Sequence, residues 1–354
     1  MTKKIEILSK YDSVQSLRFF AASLVMVTHI TYQINTRLLD HSGDYWMTGK
    51  SGVDIFFVIS GFVMAYTTKI GGRRDWANFF IRRIIRIAPL YWIATALKIS
   101  LVFLFAELVI QSNNNPNHII ASLAFIPWYD AGKVQLPVVP AGWTLNFEMF
   151  YYVIFSLALF LKYKPLIFCS AIFILYILCN KLFLFGGIAE YYANPIIIEF
   201  ILGMLIVPLI KKESGYFDFY IGILMIFIGY CTIFFTPYFF LDKSIEHYRW
   251  LVWGGAGVAL IYGGILIEKK GINIYPNWTV HLGNASYSLY LFHAMIIPAI
   301  IVICIKSGIK NNLLIFIISA FSSYVMAYVS YLYIEKNIIK YFKPTNINNN
   351  KISG

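Results

Sequence analysis

Apolar runs of about twenty residues, long enough to cross a bilayer as helices, recur ten times along the 354 residues, and that recurrence fixes the fold class before any motif is considered. They are centred on 17–35, 52–69, 84–107, 142–161, 165–185, 195–210, 217–236, 249–267, 282–305 and 312–334. Hydrophobic residues make up 59% of the chain and charged residues only 13%, against about 45–50% apolar in soluble domains. The expectation is an all-α, polytopic integral membrane protein with about ten transmembrane helices around a polar intramembrane cavity.

Charge orients the spans, because basic residues favour cytoplasmic loops. With the N-terminus in the cytoplasm, segments 69–86, 162–164, 211–215, 268–281 and 335–354 lie inside, and these together with the N-terminal stretch through Arg18 hold 20 of the 29 Lys and Arg. Eight fall outside and Lys98 sits within a span. Both termini are therefore expected to be cytoplasmic. The net charge of +12 is a topology signal, not a sign of nucleic acid, since no soluble basic domain is present to hold such a ligand.

Residues 1–12 read as a cytoplasmic N-terminal segment, 13–343 as one membrane domain and 344–354 as a polar cytoplasmic tail. The basic start lacks a small-residue cleavage site after its apolar run, so the first span is read as retained. In the outer segment 108–140, Asn113-Asn114-Asn115-Pro116 predicts irregular structure. Cys169, Cys179, Cys231 and Cys304 all lie in apolar runs without ligand spacing, which supports neither disulfides nor a metal site. No internal repeat is evident, which weighs against an inverted-repeat transporter.

Within the first span, Arg18 and His29 are eleven residues apart. At about 100° per residue that interval is ~20° past three turns, so both side chains share one helical face, ~16 Å apart along the axis. Intramembrane ionisable groups cost roughly 2.5 kcal/mol or more and usually face a polar path. An imidazole can take a proton from an alcohol, while a guanidinium suits an anion such as a phosphate. The alternatives are that Arg18 is an anchor at a helix end and that His29 bonds a neighbouring helix.

Asp54 opens the second span, where it either complements the helix dipole or faces the chamber and orients an imidazole. The string GGRRDWANFFIRRIIRIAPLYW carries Arg82, Arg83 and Arg86. Arg82 and Arg86 share a face at i, i+4, and two guanidiniums can clamp a phosphate cluster; topology and anionic headgroups are the other reading. Trp143, Thr144 and Glu148 begin the fourth span, with Thr144 and Glu148 on one face, where a carboxyl can hold a sugar hydroxyl or pair with Arg or His. Ser286, Tyr290 and His293 form a stripe on the ninth span, either substrate-facing or interhelical. Glu199 is a further ionisable residue within the sixth span, with no partner evident from sequence.

Taken in order, SLRFFAASLVMVTHI, SGVDIFFVISGFVM, FFIRRIIRIAPLYW, WTLNFEMFYY, LGNASYSLYLFH and YLYIEKNIIKYF resemble the acyltransferase 3 family of membrane acyltransferases, over about residues 13 to 343. The opening Q-S-L-R and DIFFVISGFVMAYTT are most similar to members that decorate exopolysaccharides. The resemblance implies an enzyme of the bacterial inner membrane that moves an acyl group, usually acetyl, from cytosolic acyl-coenzyme A to a hydroxyl of a cell-envelope carbohydrate. Polysaccharide biosynthesis proteins and membrane lipids would be its surroundings. The family's Arg-x10-His signature falls on Arg18 and His29, its arginine-rich string on Arg82, Arg83 and Arg86, and its Trp-Ser/Thr-Leu-x-x-Glu string on Trp143, Thr144, Leu145 and Glu148. On that reading His29 is the general base, with Arg18, Asp54 and Glu148 beside it. The three cytoplasmic arginines hold acetyl-CoA, and Trp143, Thr144, Tyr290 and His293 meet the acceptor. The rival class is a saccharide transporter using the same cavity.

Overall fold

The structure, a computed structural model, describes residues 11–39, 43, 45–68, 72, 75–104, 115–211, 215–239 and 245–342. The expected N-terminal segment up to residue 10 and the tail lie outside the described residues. Among them, ten helical stretches are long and apolar enough to cross a membrane, in the order and number expected, and the chain is a multi-pass membrane protein.

The first span is α1, Asp12–Leu38. Its N-terminus has no capping side chain of its own. Glu268, from the far end of another helix, supplies one: its carboxylate accepts from the Asp12 and Ser13 amides at 2.9 and 3.0 Å and from Ser13 Oγ at 2.6 Å. A negative group at this end satisfies amides that lack an intrahelical partner and complements the dipole. A 3-10 turn, Met47–Lys50, leads into α2, Ser51–Thr67. Helix α2 is the buried axis of the bundle, with Val53, Ile55, Phe57, Val58, Ile59 and Phe62 all in the core.

Helix α3 runs Asp75–Leu104, so the arginine-rich stretch expected to be loop through residue 86 is helical. The short α4, Pro116–Leu123, follows. The Asn-Pro signal read as irregular is in fact a helix start: Asn115 Oδ1 accepts from the Asn117 amide at 2.9 Å and Pro116 takes the first turn, where its missing N–H costs nothing. Strands β1, Trp128–Asp130, and β2, Lys133–Gln135, then form an antiparallel hairpin in which Tyr129 faces Val134. Ala131 and Gly132 both have positive φ, 50° and 78°, as a two-residue hairpin turn requires.

The remaining spans are α5, Gly142–Phe160; α6, Pro165–Phe183; α7, Ile188–Tyr192, joined through the 3-10 turn Pro195–Ile197 to α8, Ile198–Ile210; α9, Asp218–Phe239; and α10, Ile245–Lys269. The expected ninth span is broken at Ala285 into α11, Asn277–Asn284, and α12, Ser286–Lys306. Helix α13, Asn312–Ser330, continues through a π-helical turn, Tyr331–Glu335, into α14, Lys336–Tyr341.

Packing follows apolarity. Helix α1 lies against α2, α10, α11 and α12, while α2 packs on α8 and α10. At the α2/α8 crossing the backbones touch: a Cβ on Gly61 would stand 2.1 Å from the Phe200 carbonyl oxygen, and one on Gly203 2.0 Å from that of Val58. Helices α6, α9 and α13 present exposed side chains such as Leu178, Leu182, Phe227, Phe235 and Phe321. So large an outward apolar surface is that of a chain solvated by lipid.

Candidate active site

Helices α1, α2, α3, α5 and α12 line a partly open cavity of about 760 Å³, open space at its mouth included, bordered by Arg18, Ser60, Arg83, Arg86, Glu148 and Tyr152, with Phe56, Tyr287 and Tyr290 among its apolar walls. It brings together Arg18, Arg83, Arg86, Thr144, Glu148 and Tyr290 from the sequence-derived set. Three guanidiniums against one carboxyl leave the lining strongly positive.

The local reasons differ for each cation. On α3 the inward stripe is Phe79, Ile87, Leu90, Tyr91, Ala94 and Lys98, all buried. Arg83 falls on that stripe, four residues from both Phe79 and Ile87, and its guanidinium sits 5.7 Å from the Phe79 ring centre. Arg82 points out and is exposed. The cavity pair is thus Arg83 and Arg86 at i, i+3, not the expected Arg82 and Arg86, because i, i+3 residues also share a face and the buried stripe decides which pair turns inward. Arg86 lies 5.8 Å from the Tyr287 ring centre and forms an ion pair with Glu335 of the π-helical turn. Glu335 is held from behind by Ser288 Oγ at 2.6 Å. Arg18 donates from Nε to Ser286 Oγ at 3.1 Å. Arg83 Nε and one terminal nitrogen of Arg86 are buried and find no protein acceptor among the described residues. Buried donors are normally paired, so two N–H groups stand ready for an anion.

The cavity's acid, Glu148, accepts from Tyr152 at 3.3 Å, and that hydroxyl lies 3.5 Å from Ser60 Oγ. Glu148 is within electrostatic range of Arg18 and Arg83, so the acid balances the cations it shares the chamber with.

His29 is not among the cavity-lining residues. It sits one layer further along α1, where its ring centre is 4.9 Å from that of His293 on α12. Tyr290 joins the two layers: it lines the cavity, its ring centre is 5.9 Å from that of His293, and its hydroxyl meets Thr144 Oγ1 at 2.8 Å and the Ala141 carbonyl at 3.2 Å. Trp143 stands apart, edge-on to Phe147, with its carbonyl accepting from Tyr191.

Asp54 is committed elsewhere. Both its oxygens are taken by Arg249 of α10, at 3.0 and 2.8 Å, so it pairs with a guanidinium instead of orienting an imidazole. Arg249 also meets Glu246 at 3.0 Å, which in turn holds Lys50 at 2.9 Å. Glu199, fully buried, lies within electrostatic range of Asp54 and Arg249. Sequence reasoning missed Arg249 and Glu335, each a charge at the end of an apolar run, and Tyr152, four residues beyond Glu148. The only signal for all three was an ionisable or hydroxyl group on the face of a known neighbour.

A helical membrane protein with an arginine-lined chamber and a paired imidazole layer above it is the class that fold and site define. Residues 11–332 match the acyltransferase domain of the acyltransferase 3 family, and the chain belongs to that family. The exopolysaccharide production protein ExoZ of Rhizobium meliloti is 29% identical over 318 residues, covering 85% of this chain and 93% of its own. The O-acetyltransferase OatA of Staphylococcus aureus is 25% identical over 365 aligned positions, covering 92% of this chain and 56% of its own. The acyltransferase MdmB of Streptomyces mycarofaciens matches more narrowly, at 25% over 156 residues, 42% of this chain and 39% of its own. No solved structure matches the chain.

Proposed function

We propose that this chain is an O-acyltransferase that moves an acetyl or other short acyl group from cytosolic acyl-coenzyme A to a hydroxyl of a cell-envelope or exported polysaccharide. The observation that carries the reading is the convergence of Arg18, Arg83 and Arg86 on one partly open cavity, with two of their buried donors unpaired among the described residues. Guanidiniums recognise phosphate oxygens through paired N–H groups, and acyl-coenzyme A is an acyl donor that carries phosphates. The family membership and the similarity to the O-acetyltransferase OatA and the exopolysaccharide production protein ExoZ support the acyl group and the carbohydrate.

The donor's phosphates rest on Arg83 and Arg86, with the arginine-rich side of the bundle facing the cytosol. The pantetheine arm passes Arg18 and runs along α1 past Tyr290, and the thioester stops beside His29. The neutral imidazole removes the proton of the sugar hydroxyl as its oxygen attacks the thioester carbonyl. The C–S bond then breaks, and the departing thiolate takes the proton back from the imidazolium. The new ester and free coenzyme A account for every atom and leave no net proton.

The purified protein in liposomes, given labelled acetyl-CoA and envelope glycan, provides the test. Label on the glycan in a base-labile ester, with stoichiometric release of coenzyme A, is the expected result. Glycan flux with no coenzyme A release would replace the enzyme by a carrier.

A further inference from the structure

His293 is 1% exposed. Its Nδ1 lies 2.9 Å from the Leu289 carbonyl oxygen. A carbonyl only accepts, so Nδ1 carries a proton, and in the neutral ring Nε2 is left with its lone pair outward as an acceptor. That Nε2 is buried and has no partner among the described residues. Buried acceptors in native structures are generally satisfied, so the orientation of the ring toward its neighbours decides what the nitrogen is for.

Two rings flank it, Tyr290 and His29. The Tyr290 hydroxyl is engaged by Thr144 and Ala141. Lys50, the cation that acts on His29, is held by Glu246. That leaves His29 as the flanking ring with an N–H to offer. Its ring is 4.9 Å away centre to centre and lies on α1, which packs directly on α12. Catalytic hydrogen bonds in empty sites are often long and close only around substrate.

Building on the acyltransfer reading, we propose that His293 is the positioning residue for His29: its Nε2 accepts the N–H of one His29 nitrogen, which fixes the tautomer and aims the other nitrogen at the acceptor hydroxyl. The carboxylate that commonly does this for a catalytic imidazole is replaced by a second imidazole whose own tautomer is fixed by the backbone of its helix. The role differs from the acceptor contact that the stripe on α12 suggested.

Three variants test it: His293→Leu, His293→Gln, whose amide carbonyl can still accept, and His29→Ala as reference. The readouts are kcat, KM for acetyl-CoA, KM for the glycan and thermal unfolding in detergent. His293→Leu is expected to lower kcat by about 100-fold, within the range of a general base's contribution, with both KM values and the unfolding midpoint near parental. His293→Gln is expected to recover kcat to within about tenfold of the parent. A parental kcat in His293→Leu, an equal loss in Leu and Gln variants, or a loss confined to the glycan KM each overturns the inference. If His29→Ala is dead while His293→Leu is active, only this inference falls; if His29→Ala is active, the assignment of the base falls with it.

Discussion

Arg86 and Glu335 form an ion pair across 249 residues of sequence, with side chains 13% and 1% exposed. The pair ties the arginine-bearing end of α3 to the π-helical turn after α13, and π-turns recur at functional sites. If Arg86 takes a donor phosphate as proposed, Glu335 would compete with it for the guanidinium while keeping Arg86 in place. Glu335→Gln retains an acceptor for Ser288 and removes the charge. The apparent KM for acetyl-CoA is expected to fall by about fivefold, about 1 kcal/mol by the usual conversion, with the glycan KM unchanged. A rise in the donor KM would mean that Glu335 chiefly orients Arg86.

Arg82 and Arg83 are adjacent in sequence and face opposite ways, because only Arg83 lies on the inward stripe of α3. Arg83→Gln should raise the donor KM about tenfold or more, the range of a hydrogen bond to a charged group. Arg82→Gln should leave it within twofold. Initial-rate measurements across acetyl-CoA concentrations separate the two, and equal effects would return both residues to topology.

His29→Ala is expected to abolish acyl transfer while acetyl-CoA binding, read by calorimetry on the detergent-solubilised protein, persists. The basis is spatial: the imidazole is absent from the lining of the arginine chamber. Loss of donor binding in this variant would show that the two layers are one site.

Removing Asp54 takes away the buried carboxylate that meets Arg249 at two nitrogens, leaving the more exposed Glu246 in contact and Glu199 within electrostatic range. Breaking one side of a buried pair typically costs about 3–5 kcal/mol, so Asp54→Ala should lower the unfolding midpoint clearly. Asp54→Leu combined with Arg249→Leu should recover part of the loss. A double variant no better than the single would mean that packing, not the orphaned charge, dominates.

Gly203→Ala places a methyl where the Val58 carbonyl already stands. Overpacking of this kind costs about 1–3 kcal/mol, at times more. The expected outcome is a reduced yield of monodisperse protein with unchanged KM values in what remains. Normal yield and stability would show that α2 and α8 can separate.

How far the sequence could be read follows from the kind of signal each element carries. Spans declare themselves because about twenty apolar residues in a row have few other uses, and all ten were legible. Asn115-Pro116 was misread because the same two residues mark either irregular chain or a capped helix start, and only the following turn, Pro116–Leu123, distinguishes them. Arg18, Arg83, Arg86 and Glu148 were legible as ionisable groups in apolar surroundings, and the cavity gathers them. Which arginine turns inward was not, since i, i+3 and i, i+4 are equally good neighbours until the opposing helix is known. Partners far apart in sequence, Asp54 with Arg249 and Arg86 with Glu335, carry no local pattern at all.

The contact of Gly61 and Gly203 with facing carbonyls, together with the Asp54–Arg249 clasp, fastens α2 to α8 and α10 like a keel. A keel does not swing. On the proposed reading, a donor's way in lies on the opposite wall, where α3 is held to α5 by the stacked rings of Phe79 and Phe155 and to the π-helical turn by the Arg86–Glu335 ion pair.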